Sequence, residues 1–447
     1  MKPRAASGVV HGEVRLAYRD YGGDGTPVLL LHGLAGHMGE WDALAELLLP
    51  RHRVIAYDAR AHGASERQPT DVSRAAYVRD VVAVIGQLLP DSGPVVLVGQ
   101  SLGGHTAMLT AAAHPGLVRA LILIEAGPDG PVPDLPGHIG QWLSSWPVPF
   151  ESPSAAARFF GGSPAAAHAW ASGLEPRDDG LHPRFDPALM TASVAELAHR
   201  NYWRKWDDVI CPALVVRGDD GDMCPEEATS MASRRPGDTT LRVVRGAGHD
   251  VHLDRPELLH EVIDGFLTPR SYRYVGPAAL LAAALQAGGG GARTIRSPAD
   301  FDAWVREQPA SELDEPFTFV VDMEGFLRLA PRRSEHVVCA GGGRVLGAGE
   351  VAFTRAAGVW MPRFVSNQST GYCPDGMSWL PVAAALRRAG VAAYSDGFHH
   401  EVVFRRCERC QEHNIVREDD FVCVFCGAEL PETWNVDAGD PMAPPGA

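Results

Sequence analysis

The sequence predicts an α/β protein: a doubly wound, mostly parallel sheet in the first part of the chain, followed by a second, α+β domain. Three observations predict it. Up to about Leu267, short apolar runs that end in Gly or Asp alternate with helical patterns. The chain has 447 residues, more than one ordinary core accommodates, so two domains are expected. Four consecutive glycines, Gly288–Gly291, read as a flexible linker, and the pattern changes beyond them.

In the first part the strands are "PVLLLHG", "HRVIAYDARAHG", "PVVLVGQS", "RALILIEAG", "PALVVRGDD" and "LRVVRGAGH". They are nearly continuous in Val, Ile and Leu, which is the composition of parallel strands covered on both faces. The helical patterns "WDALAELLL", "AAYVRDVVAVIGQLL" and "GHTAMLTAAAH" lie between several of them and supply that cover. Residues 128–210 break the rhythm. They show no clear strand, yet hold Trp142, Trp146, Trp170, Trp203 and Trp206 with several prolines. A stretch of that length is too long for a plain loop and reads as an inserted helical lid. The domains expected are therefore 1–267 with its lid, a linker at 268–292, an accessory domain at 293–436, and a disordered tail at 437–447. Within 293–436 the helices are "PADFDAWVRE" and "WLPVAAALRRAG", and the strands "FTFVVD", "HVVCA", "VAFTR" and "MPRFVSN".

Composition limits the function. The net charge of −15 repels polyanions, so neither nucleic acid nor an anionic membrane is an expected partner. No apolar run approaches the roughly 18 residues of a membrane span. The first residues lack the apolar core of a secretory signal. With no signal, the eight cysteines are not read as a disulfide framework, and a reducing, cytoplasmic setting is expected.

The chemistry concentrates at "VVLVGQSLGGHTAML", residues 95–109. Gly99-Gln100-Ser101-Leu102-Gly103 fits G-x-S-x-G at a point where a buried strand gives way to a helix. A serine on so tight a turn needs small neighbours, and the turn aims the first helical N–H groups, from Leu102 on, at the place where an oxyanion forms. "LLLHGLAGH" ends an earlier strand, and its loop can aim the Leu34 N–H at the same point. "VVRGAGHDVHLDRPE" puts His249 just after a late strand. Residues 10–267 thereby resemble the α/β-hydrolase superfamily of Ser-His-Asp type, with the motifs in the order serine, acid, histidine. The resemblance implies an α/β-hydrolase fold with a helical lid, Ser101 as nucleophile, His249 as general base, and Leu34 and Leu102 as oxyanion donors. It implies no cofactor for catalysis.

The acid is expected in "VVRGDDGDMCP", where Asp222 fits the family spacing best and Asp220 comes next. His32 is expected to shape the oxyanion loop, His252 to pack, and Asp58 and Arg60 to brace the core. His37 is a candidate for substrate contact at the mouth. The lid tryptophans divide between lid core and an apolar acyl or aromatic pocket. A serine at the elbow points to esters, thioesters, lactones, amides or vinylogous C–C bonds, and haloperoxidase-type members remain open.

Cys407-x-x-Cys410 and Cys423-x-x-Cys426 are separated by twelve residues. Two such turns complete a tetrahedral four-thiolate site, so residues 404–430 read as a zinc ribbon. With no open ligand position, its single Zn²⁺ is structural. From Glu401 onward four arginines face ten acids, which again argues against nucleic acid and leaves a stabilising or protein-facing role. Residues 293–435 resemble a bacterial domain that implies no activity. Residues 366–372, "SNQSTGY", form a polar run expected to be a hydrogen-bonded turn rather than a ligand loop.

Two functional readings result. In one, the protein is a serine hydrolase that cleaves an ester, thioester or lactone of a small to medium apolar substrate through an acyl-enzyme on Ser101. In the other, it is a non-catalytic interaction protein whose C-terminal domain binds a protein partner. The intact Ser101, His249 and nearby Asp favour the first.

Overall fold

A computed structural model describes residues 6–436 apart from 236–237, 269, 288–290, 314, 357, 370, 393–396 and 419. The expected tail at 437–447, and Gly288–Gly290 of the glycine run, lie outside the described residues. The chain divides into two compact units, Met1–Ile263 and Asp264–Ala447.

The first unit is built on eight strands in one sheet: β1 (Ala6–His11), β2 (Arg15–Gly22), β3 (Thr26–Leu31), β4 (His52–Tyr57), β5 (Val95–Gln100), β6 (Val118–Ile124), then, after a hairpin β7 (Leu174–Arg177) and β8 (Gly180–Pro183), β9 (Ala213–Gly218) and β10 (Thr239–Val244). The spatial order is β1-β2-β4-β3-β5-β6-β9-β10. All pairs from β4 to β10 are parallel, and only the β1 and β2 pairings are antiparallel. As their composition implied, all six residues of β5 are buried. Helices Arg74–Leu88 and Ser101–Ala113 supply packing residues such as Val81, Val84, Ala107 and Met108 to the core against Leu29, Ile55, Leu97 and Leu121.

The lid departs from expectation in one respect. Besides helices Leu135–Ser144, Pro153–Phe160, Pro164–Ser172 and Pro187–Ser193, it contains the β7–β8 hairpin. The turn residues are Asp178 and Asp179, and Gly180, which pairs with Arg177 as the first residue of β8, holds φ 139°, a conformation that suits glycine.

The tight turn after β5 depends on close backbone approach. A Cβ on Gly103 would lie 2.3 Å from the Leu31 carbonyl oxygen and 2.4 Å from that of His32. Backbone cannot give way there as a flexible side chain can. Gly103→Ala is therefore expected to lower stability by about 1–3 kcal/mol. The readout is a fall in urea midpoint at unchanged m-value; an unchanged midpoint would show that the turn relaxes freely.

The second unit holds a five-stranded antiparallel sheet: β11 (Arg293–Ile295), β12 (Phe317–Val321), β13 (Leu327–Ala330), β14 (Gly347–Ala356) and β15 (Val359–Ser366), in the order β11-β13-β12-β14-β15. Helices Pro298–Glu307 and Trp379–Arg388 pack Phe301, Trp304, Val382 and Leu386 against Phe317, Phe319 and Phe353. A two-stranded ribbon, β16 (Val403–Arg406) and β17 (His413–Val416), follows.

Two expectations for this part need correction. Residues 268–292 are not a plain linker: Ala278–Ala287 is a helix, and wholly buried Tyr272 bridges by its backbone to Val345. The Ala/Leu run there has high helix propensity, and it packs Ala284 against Val337 and Val345. "HVVCA" is not a strand: His336–Cys339 is one helical turn, closed by Gly341 and Gly342 at positive φ. So short an apolar run carries no period that separates the two states. In the polar run 366–372, buried Asn367 donates to the carbonyls of Pro374 and Val402 and accepts from the Val402 N–H. It is spent on chain pairing, as a structural turn requires. Among the described residues, no helix is long and apolar enough to cross a membrane.

Candidate active site

Parallel register brings the chemistry together. Gln100 on β5 pairs with Ile124 on β6, so the next residues, Ser101 and Glu125, leave the sheet side by side at its C-terminal edge. Both hold positive φ, near 50°, and Ala35 in the loop after β3 holds 62°. Non-glycine residues in this region are strained, and strain of this kind collects at functional sites. The three loops open on one cavity of about 670 Å³, whose lining includes Leu34, Ser101, Leu102, Glu125, Asp222 and His249. The structure thus brings every expected catalytic residue of the first unit to one cavity, and adds Glu125.

Around His249, two carboxylates compete. Its Nδ1 lies 3.3 Å from Asp222 Oδ2 and 3.5 Å from Glu125 Oε2, neither with the alignment of a hydrogen bond. The Asp222 side chain is 82% exposed, whereas that of Glu125 is 0% exposed. Glu125 is also fixed from behind: Oε1 accepts from the Gly218 N–H and Oε2 from the Met223 N–H, both at 2.8 Å. Burial alone would raise the Glu125 carboxyl, but His249 and the two backbone donors outweigh it and hold the pKa below its ordinary value. Burial alone would lower His249, but Glu125, Asp250 and Asp222 outweigh that and raise it. Asp220 is not among the cavity-lining residues.

Supporting groups lock the loops. Gln100 Nε2 donates to the His249 carbonyl and to Asp250 Oδ1, tying the histidine loop to the serine turn. His32 bridges Gly33 and Ala59, and His62 Nε2 accepts from the Ala35 N–H, so two buried histidines shape the loop after β3. Burial keeps His62 neutral, with its pKa down to about 3. His37, a candidate for substrate contact, does not line the cavity. It is buried, its Nδ1 caps Gly39, and its Nε2 bonds the Ala169 carbonyl of the lid. His252 packs on Trp41. Asp58 accepts from Met38 and Ala64, and Arg60 pairs with buried Asp80. Of the lid tryptophans, Trp142 and Trp170 line the cavity, Trp146 and Trp206 are buried, and Trp203 lies under Arg234.

In the second unit, the sulfurs of Cys407, Cys410, Cys423 and Cys426 all lie within 4.8 Å of one another. Cys407–Cys426 and Cys410–Cys423 are each 3.6 Å apart. A tetrahedral ion with Zn–S bonds of about 2.3 Å requires sulfurs about 3.8 Å apart, so the four thiols fit Zn²⁺. His413 is not in this group. Cys407→Ser or Cys423→Ser is expected to remove about one zinc per chain by elemental analysis and to unfold the ribbon. Zinc-free wild-type protein, freshly purified under reducing conditions, would contradict the assignment.

Comparison with known proteins places the first unit. The Alpha/beta hydrolase family profile matches residues 28–262. The chain is 29% identical over 262 residues to the 2-(acetamidomethylene)succinate hydrolase of Mesorhizobium japonicum, covering 57% of this chain and 92% of that protein. It is 27% identical over 292 residues to the sn-1-specific diacylglycerol lipase ABHD11 of Mus musculus, covering 59% and 89%. The crystal structure of E-2-(acetamidomethylene)succinate hydrolase superposes with a TM-score of 0.55 at 28% identity, covering 59% of this chain and 99% of that one. The elbow serine, the loops at the sheet's C-terminal edge and these likenesses agree: the chain belongs to the α/β-hydrolase family, and it is a hydrolase with an added C-terminal unit.

Proposed function

We propose that the first unit cleaves an ester, thioester or lactone of a small to medium, largely apolar substrate through an acyl-enzyme on Ser101. The observation that carries this reading is the cavity shared by Ser101, His249, Leu34 and Leu102 at the end of the parallel sheet. The Ser101 hydroxyl is not nucleophilic at neutral pH until His249 takes its proton. The N–H groups of Leu34 and Leu102 receive the oxyanion, His249 returns its proton to the leaving group, and water then releases the acid by the same route.

For the third member of the triad, Glu125 replaces Asp222 as the favoured residue. A buried carboxylate fixed by two N–H groups holds the imidazole in one tautomer and stabilises imidazolium in low dielectric. An exposed one is screened by water and free to turn away. The second unit, from about residue 264, serves as a zinc-stabilised accessory module, and its four cysteines take no part in the hydrolysis. The test is labelling by a fluorophosphonate followed by peptide mapping. A single adduct on Ser101, absent in Ser101→Ala, is expected; an adduct elsewhere, or none in folded protein, would contradict the reading.

A further inference from the structure

We infer that the cavity beside Ser101 selects acyl substrates that carry a positive charge and rejects those that carry a negative one. This rests on the serine-hydrolase reading above and names its substrate class. Six carboxylates line the cavity: Glu40, Glu125, Asp129, Asp222, Glu227 and Asp250. Among the described residues that line it, there is neither lysine nor arginine. Of these acids Glu40 and Glu125 are buried, Glu227 and Asp250 are partly buried, and Asp129 and Asp222 are exposed, and all six line the space beside the nucleophile.

Two of the six have partners that account for them. Glu125 serves His249, and buried Glu40 faces His252 and accepts from the His37 N–H. Asp222 lies 3.3 Å from His249 Nδ1, and for the remaining three there is no lysine or arginine among the cavity-lining residues. The Asp129 N–H donates to Glu227 Oε1, and Trp170 and Gln100 donate to Asp250. Burial raises the carboxyl pKa of both Glu227 and Asp250, and a neighbouring carboxylate adds to each shift, Asp129 for the first and Glu40 for the second. At Asp250 the neighbouring His252 and His249 oppose that rise without cancelling it.

The aromatic part of the wall suits the same ligand. Trp142 and Trp170 stand edge to face with centroids 6.2 Å apart, and the Trp170 indole N–H is held by Asp250. A cation over an indole face is attracted by the ring quadrupole, and more strongly where water is excluded. Trp142 and Trp170 line the cavity beside the carboxylates, so an ammonium near Ser101 would meet both kinds of group. A dicarboxylate, such as the succinate in the name of the Mesorhizobium relative, would meet like charge on the wall, and likeness of fold does not extend to that substrate.

The experiment compares three fluorophosphonates of matched shape, whose alkoxy groups end in trimethylammonium, tert-butyl or sulfonate. Each reaction forms a bond from Ser101 Oγ to phosphorus, expels fluoride and leaves the serine proton on His249, so the rate reads binding and reactivity at one atom. The cationic probe is expected to react fastest, and the anionic one at least about tenfold more slowly than the neutral one, with the spread narrowing at high salt. Asp129→Asn combined with Glu227→Gln is expected to narrow the cation-to-anion ratio by about threefold or more. Rates equal within about twofold, or a faster anionic probe, would overturn the inference and leave the hydrolase reading standing. No adduct on Ser101 with any of the three would overturn the hydrolase reading itself, and this inference with it.

Discussion

Ser101→Ala is expected to lower ester turnover by about 10⁵–10⁶-fold while the urea midpoint stays within the error of wild type. The size follows from the division of labour. The oxyanion donors, His249 and the cavity remain, but no atom is left to form the acyl-enzyme. The fold should persist because alanine keeps the Cβ that serine already carries at φ 50°. It meets the same strain and removes only the hydroxyl. A p-nitrophenyl ester of a short acyl chain reports turnover. Activity that survives the substitution would move the nucleophile away from Ser101.

The second large effect separates the two acids. Glu125→Gln is expected to lower kcat/KM by about 10³–10⁴-fold, and Asp222→Asn by less than about tenfold. Glutamine keeps the size of the side chain and its place between Gly218, Met223 and His249, but loses the charge that stabilises imidazolium and can present an N–H to the wrong face of the ring. Asp222 stands in water, where its attraction for His249 is largely screened. The pH dependence gives the sign independently. His249 must be neutral to act as base, so kcat/KM rises with pH through its pKa. In wild type the carboxylates outweigh burial, and that limb lies above the ordinary histidine value of about 6.5. In Glu125→Gln burial remains while the nearest buried charge is gone, so the limb moves to lower pH. In Asp222→Asn Glu125 is still present, and the limb moves little.

Much of this architecture was legible in the sequence, for identifiable reasons. Buried parallel strands write themselves as unbroken Val/Ile/Leu runs, and G-x-S-x-G reports a local steric demand that Gly103 makes explicit against the Leu31 and His32 carbonyls. The four cysteines carry their geometry in their spacing. Glu125 was harder to find because its role depends on register between β5 and β6 and on two N–H groups about 95 residues further along the chain. The available signal was a lone carboxylate closing the otherwise apolar "RALILIEAG" run, beside the nucleophile's strand. His37 stood as a candidate for substrate contact because sequence does not show that its Nε2 would find a lid carbonyl. The helix at 278–287 was hidden by the glycines that follow it, which drew the whole interval into a linker.

The central claim is that Ser101, His249 and Glu125 form one catalytic unit. The most direct measurement is the rate of fluorophosphonate labelling at Ser101 from pH 5 to pH 9 in wild type, Glu125→Gln and Asp222→Asn. The account predicts that Glu125→Gln slows labelling by orders of magnitude and moves its acid limb to lower pH, while Asp222→Asn follows wild type closely. A profile in which Asp222→Asn shows the large loss and Glu125→Gln stays near wild type would contradict it and return the acid to the exposed loop.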